Sequence, residues 1–162
     1  MSISECGSGD KINQLILDPT KDIFTIDVDA IVNTVNCVGV MGAGIALAFK
    51  VQYPAYFKDY KFACNRGELA PGKLHVYRRE GSPKFIISFP TKRHWRNGSK
   101  LEDIDIGLES LVKIITENDI RSIAIPKLGC GLGGLDWEIV KPKIVKALEN
   151  VDNLEKTILL GS

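Results

Sequence analysis

The sequence predicts an α/β fold, a sandwich of helices around one sheet, in a single domain. Three observations lead there. Short apolar runs, partly β-branched and bounded by Gly, Pro or Asp, alternate with amphipathic stretches of helical period. Several of those runs are apolar without interruption, as strands are when both of their faces are covered. The 162 residues, 44% apolar and 25% charged, supply one substantial core and leave no room for two full-sized domains. Alternation of this kind packs helices against a sheet.

In chain order, residues 1–10 are expected to form a flexible lead, with Gly7-Ser8-Gly9 carrying no function, and residues 11–162 a single folded unit. Ile12 to Leu17 reads as the first strand and Ala30 to Val35 as the second. Ile45 to Val51 reads as a helix that ends before Pro54, because the proline ring disfavours helical backbone in the residue preceding it. Leu74 to Tyr77 and Phe85 to Phe89 are the next two strands. Leu101, Ile104, Leu108, Leu111, Val112 and Ile115 then keep one helical face. Ser122 to Ile125 returns to strand, and Val140, Ile144 and Leu148 mark a last helix. Asp136 is placed to cap that helix, and Pro142 is expected to bend it or delay its start. Thr157 to Leu160 closes the sheet.

The 21 Lys and Arg nearly cancel the 20 Asp and Glu, so no broad field holds this protein non-specifically on nucleic acid or anionic membrane. The distribution differs from the sum: Lys92, Arg93, Arg96 and Lys100 fall within nine residues with no acid among them. The four cysteines, Cys6, Cys37, Cys64 and Cys130, are far apart, with neither a Cys-x-x-Cys pair nor a histidine cluster, which argues against zinc. No metal or cofactor is expected. A core of this size does not need disulfides, so reduced thiols and a cytoplasmic location are expected. No run reaches the roughly 18 apolar residues of a membrane span, and residues 1–10 lack the features of a signal peptide. The expectation is a soluble monomer without a membrane partner.

One pattern occurs twice. Strand Ala30 to Val35 runs into Gly39-Val40-Met41-Gly42-Ala43-Gly44 and a helix, and strand Ser122 to Ile125 runs into Gly129-Cys130-Gly131-Leu132-Gly133-Gly134 and a helix. Glycine lets backbone N–H groups point into a concavity, and a following helix N-terminus adds positive potential. One such loop suggests a phosphate and two suggest a diphosphate. Neither loop has the spacing of a dinucleotide fingerprint or a P-loop. Tight turns and close helix packing are the competing explanation for these glycines.

Two further clusters surround the loops. Asp22 either starts a turn or accepts from an exocyclic amino group, and Asn36 either satisfies backbone groups at the strand end or bonds a sugar hydroxyl. The run Lys92-Arg93-His94-Trp95-Arg96 places cations beside flat rings, the combination that holds single-stranded nucleic acid through phosphates and stacked bases. A solvated basic loop with Trp95 folded onto the core is the alternative. Lys92 lies just beyond a strand end, where α/β folds place active groups, and a lysine among cations can act as a nucleophile. His94 is the other candidate for moving a proton.

Together these residues resemble the macrodomains, α/β/α modules that bind ADP-ribose. Lys21-Asp22-Ile23 and Val28 to Asn36 resemble the family's opening signature, with Lys21 in place of a glycine, and Gly39 to Leu47 and Pro126 to Gly133 resemble its two phosphate loops. The resemblance implies a three-layer fold with a mixed, mostly parallel sheet. Within the family, Val38 to Leu47, Phe89 to Trp95 and Leu128 to Trp137 resemble the DarG antitoxins, which remove the ADP-ribose that a DarT toxin attaches to thymidine in single-stranded DNA. The related terminal ADP-ribose protein glycohydrolase, which acts on acidic side chains, shares the first loop and the lysine.

The resemblance assigns Asp22 and the Ile23 backbone to the adenine, Asn36 to the distal ribose, and the diphosphate and distal ribose to Val40, Met41, Gly42 and Gly44 facing Gly129, Cys130, Gly131, Leu132 and Gly133. Lys92 falls on the catalytic lysine, with Arg93 and Arg96 favouring its neutral form. Arg93, His94, Trp95 and Arg96 become contacts to the DNA, and a DarT-type toxin the implied partner. Two departures accompany it. The protein-directed enzyme has an aspartate where this chain has Gly133, and DarG antitoxins carry a further domain beyond the stretch that these residues match.

Overall fold

A strand in the middle of a covered sheet has to be apolar on both faces, and Ala30–Val35 meets that demand: Ala30 and Val32 pack on one side, Ile31 and Val35 on the other. The computed structural model describes residues 13–18 and 22–160. Its strands are β1 (Gln14–Leu17), β2 (Ala30–Val35), β3 (His75–Arg78), β4 (Phe85–Pro90), β5 (Ser122–Ile125) and β6 (Lys156–Leu159). They lie in the order β1-β6-β5-β2-β4-β3, with every neighbouring pair parallel except β3 and β4. The helices are α1 (Gly44–Gln52), α2 (Pro54–Asn65), α3 (Leu101–Glu117) and α4 (Trp137–Leu148).

The layers follow from alternation along the strands. Phe85, Ile87 and Phe89 of β4 and Ile123 and Ile125 of β5 meet Ile104, Leu108 and Leu111 of α3 and Val140 and Ile144 of α4. On the other face, Ile86 and Ala124 meet Phe49 of α1 and Tyr56, Tyr60 and Ala63 of α2. The expected three-layer architecture with a mostly parallel sheet is the one observed.

Several expected bounds move. β1 begins at Gln14, and Ile12 and the whole of the expected lead fall outside the described residues. β3 and β6 are displaced by one residue, and β4 continues to Pro90. Helix α2 is a larger correction. Pro54 stops α1 as expected, but it also occupies the first turn of α2, where its missing N–H costs nothing and its fixed φ suits a helix. Pro142 does not delay α4, which runs unbroken from Trp137 to Leu148 and starts with the Asp136 carboxylate accepting from the Glu138 N–H at 3.0 Å. The proline gives up one backbone bond, and the buried Trp137, Val140, Ile144 and Leu148 hold the helix through it. Among the described residues, no helix is long and apolar enough to cross a membrane.

At Gly107 α3 lies close against the sheet, because a β-carbon there would overlap the ring of the fully buried Phe89. Gly107→Ala is therefore expected to destabilise the fold by about 2 kcal/mol even though alanine is the better helix former, since overpacking outweighs propensity. Urea unfolding of the two proteins measures this, and a more stable variant would show that α3 stands off the sheet.

Candidate active site

Strands β4, β2 and β5 are neighbours, and the segments that follow all three converge beyond their carboxyl ends, the place where parallel α/β sheets hold ligands. Between those segments lies a cleft of about 1030 Å³.

Asn36, one residue past β2, builds the first wall. Its amide nitrogen donates to the Val40 carbonyl at 2.8 Å, and its side-chain oxygen accepts from the N–H of Val38 at 3.1 Å and of Val40 at 3.3 Å. The buried Tyr60 hydroxyl, 2.9 Å from both the side-chain and the main-chain oxygen of Asn36, fixes the same residue from α2. Burial raises the Tyr60 hydroxyl pKa well above the ordinary range, so it stays protonated and continues to donate. The loop so held delivers Gly42, Ala43 and Gly44 to the cleft. Ala43 caps α1 without any side-chain hydrogen bond, and no acid stands in the first turn, so the N-terminal N–H groups of α1 are available to an anion.

Lys92 follows β4. Its peptide is stitched to the end of β2: the N–H groups of Thr91 and Lys92 donate to the Val35 carbonyl at 2.9 and 3.4 Å, the Cys37 N–H donates to the Arg93 carbonyl at 3.3 Å, and the Cys37 thiol donates to the Lys92 carbonyl at 3.6 Å. Lys92 lines the cleft, and its side chain makes no ion pair or hydrogen bond among the described residues. Burial first, then the neighbouring Cys64 and Asp103, push the Cys37 thiol up to about 11 against the opposing charge of Arg93.

The second glycine loop, after β5, is closed by the Leu135 N–H on the Gly129 carbonyl at 2.9 Å. Gly133 is obligatory there, because a β-carbon would overlap the Ser99 hydroxyl and the Gly129 carbonyl. The Ser99 N–H donates to the Gly133 carbonyl at 2.9 Å, which fastens the end of the basic segment to this loop. At its tip, the exposed Leu132 comes within 3.9 Å of where a β-carbon on Gly44 would sit, so the two walls nearly touch.

Trp95 is not folded onto the core. It is 47% exposed, lines the cleft, and stacks with the Arg96 guanidinium 4.7 Å from its ring centre and the His94 ring at 5.1 Å. Arg93 turns elsewhere, to the buried carboxylate of Asp103 at 3.2 Å on the first turn of α3.

Of the residues singled out in the sequence, Asn36, Val40, Gly42, Gly44, Lys92, Trp95, Arg96, Gly129, Gly131, Leu132 and Gly133 line this one cleft. Met41 does not, being a buried peg beneath the first loop, and Cys130 packs against the core under the second. Asp22 and the buried Ile23 also lie off the lining, in a short 3-10 turn (Ile23–Thr25) that Asp22 caps through the Phe24 N–H. Lys127 and Ser99 went unnoticed in the sequence. The position of Lys127, two residues past a strand as Lys92 is, was the available signal. Among the described residues the cleft thus carries Lys92, Arg96 and Lys127, with no carboxylate or imidazole on its lining. Among the described residues no three His, Cys, Asp or Glu side chains gather into a metal site.

The model of the Macro domain family matches residues 32–144, which include the first glycine loop, Lys92 and the second glycine loop. The chain belongs to the macrodomain family. This macrodomain is 50% identical over 139 residues to the DNA ADP-ribosyl glycohydrolase of Mycobacterium tuberculosis, an alignment covering 85% of this chain and 40% of that protein. It superposes with a TM-score of 0.87 on the solved macrodomain of Mycobacterium tuberculosis DarG, at 47% identity, covering 93% of this chain and 99% of that one. Thermosipho africanus DarTG, solved in complex with ADP-ribose, matches with a TM-score of 0.82 and 36% identity over 90% of this chain and 41% of that one. The chain thus spans about two fifths of the length of the Mycobacterium tuberculosis relative.

Two outcomes follow from this geometry. Because the Cys37 thiol ionises near 11 in the folded macrodomain and near 9 when unfolded, the folded state holds its proton more tightly. The stability this contributes is complete below pH 9 and is lost as pH rises toward 11. Thermal unfolding scanned across that range should show a falling midpoint that is shallower in Cys37→Ser; parallel curves would remove Cys37 as a source. Gly133→Ala should abolish ligand binding by forcing the second loop off Ser99, a loss readable by calorimetry with intact far-UV circular dichroism.

Proposed function

We propose that this macrodomain is a glycohydrolase that removes ADP-ribose from thymidine in single-stranded DNA, with Lys92 as nucleophile. The observation that carries the reading is Lys92, without an ion pair among the described residues, on the lining of a cleft that two glycine loops also line. The lone pair of the neutral amine attacks C1 of the distal ribose. The bond from C1 to the base breaks, its electron pair leaves with the base, and the proton released from the lysine nitrogen passes through water to that base. Opening of the sugar ring gives an imine; water adds to it and expels the amine, returning Lys92 and free ADP-ribose.

The DNA reading is favoured over ester-linked protein substrates by the lack of a carboxylate among the described residues of the lining and by the absence of room for one at Gly133. Trp95 with Arg96 stacked on it offers a base platform next to a phosphate-binding cation. The names of the relatives agree, being a DNA ADP-ribosyl glycohydrolase and a fusion of that activity with a DNA ADP-ribosyl transferase. A DarT-type transferase is then the enzyme that makes the substrate, and the macrodomain acts on it as a cytoplasmic monomer.

Incubation with an ADP-ribosylated oligonucleotide tests this. Wild type is expected to release ADP-ribose and Lys92→Ala to release it at least about a hundredfold more slowly while still binding the free ligand. Equal rates remove Lys92 from the chemistry, and release from modified protein alone moves the substrate to protein.

A further inference from the structure

The proposed reaction leaves one cleft cation without a task. Lys127 is the second residue past β5 as Lys92 is the second past β4, so the two lysines follow the strands on either side of the central strand β2. Lys127 is one of the residues that line the cleft, and its ammonium lies 5.7 Å from the ring centre of Trp137, the first residue of α4. Arg93, Arg121 and Lys143 each have a carboxylate partner, whereas Lys127 has none among the described residues. A cation seated on an aromatic face keeps its N–H donors for other partners. Its carbonyl accepts the Cys130 N–H at 3.2 Å in the turn that opens the second glycine loop, so the residue is built into that loop.

The ligand supplies what the lining lacks. A diphosphate brings two negative charges, and backbone N–H groups orient it without neutralising them. The amine on the reacting carbon cannot also serve as the counter-ion, because an ammonium in an ion pair has no lone pair to give. Resting on the reading of this cleft as an ADP-ribose site, we infer that Lys127 is the cation that binds the diphosphate, leaving Lys92 to the sugar carbon. The two amines divide the work by position, one on the loop after β5 and the other on the segment after β4.

Calorimetric titration of ADP-ribose, ADP and adenosine into the wild type, Lys127→Gln, Lys127→Ala and Lys127→Arg tests the assignment, with thermal unfolding as the check on folding. Loss of the amine should weaken ADP-ribose and ADP in parallel, by about tenfold at low salt and less as salt is raised. Arginine should restore most of the affinity, and adenosine should bind alike to all four proteins. With the ADP-ribosylated oligonucleotide, KM should rise by more than kcat falls. Unchanged ADP-ribose affinity, or equal weakening of adenosine, overturns the assignment, as does weakening confined to the oligonucleotide, which would move Lys127 to the DNA strand. A wild type that binds neither ADP-ribose nor ADP overturns the reading of the cleft itself.

Discussion

The amide of Asn36 joins the last turn of the central strand to the first glycine loop, and the Tyr60 hydroxyl joins it to α2. Everything the cleft needs on that side depends on those bonds. They set the path of Val38 to Val40, hence the point at which α1 can begin, hence the direction in which its uncapped N–H groups face. A side chain so fully engaged with backbone does its work by shaping the wall, and any bond it makes to a sugar is additional to that. Beneath the same loop, Asn33 donates to the Tyr56 hydroxyl at 3.1 Å and lies 3.7 Å from the Met41 sulfur, while Tyr56 pairs with Ser88 of β4 at 2.5 Å. The glycine loop therefore rests on a buried polar layer that ties two strands to a helix.

The opposite wall is organised by close packing instead. Gly133, Gly129 and Ser99 approach so nearly that no side chain fits at position 133, and the Ser99 N–H bridges the basic segment to the loop. The same contact that lets the loop close also keeps an acid out of the cleft. Charge is arranged to match: Arg93 is spent on Asp103 at the start of α3, which leaves Lys92, Arg96 and Lys127 as the cations on the lining.

Strand positions, three of the four helices and both loops were legible because each is a local pattern: apolar runs, apolar spacing of three and four, and glycines between a strand and a helix. Helix α2 was not, because its exposed face is charged and Pro54 reads equally as an end or a beginning until the chain's path is known. Lys92 stood out by its place past a strand, while Lys127 in the equivalent place did not, lacking neighbouring cations. The pairing of Arg93 with Asp103 and the burial of Met41 depend on distances across the fold, which no local window contains.

Leu132 and Gly44 form a near-bridge between the two walls of the cleft. A molecule lying beneath such a bridge is enclosed where the walls approach each other. Fit is then judged on the enclosed segment, and whatever hangs from the end beside Trp95 remains outside, so the bulk of a polymer attached there does not have to enter the protein for its terminal group to be handled.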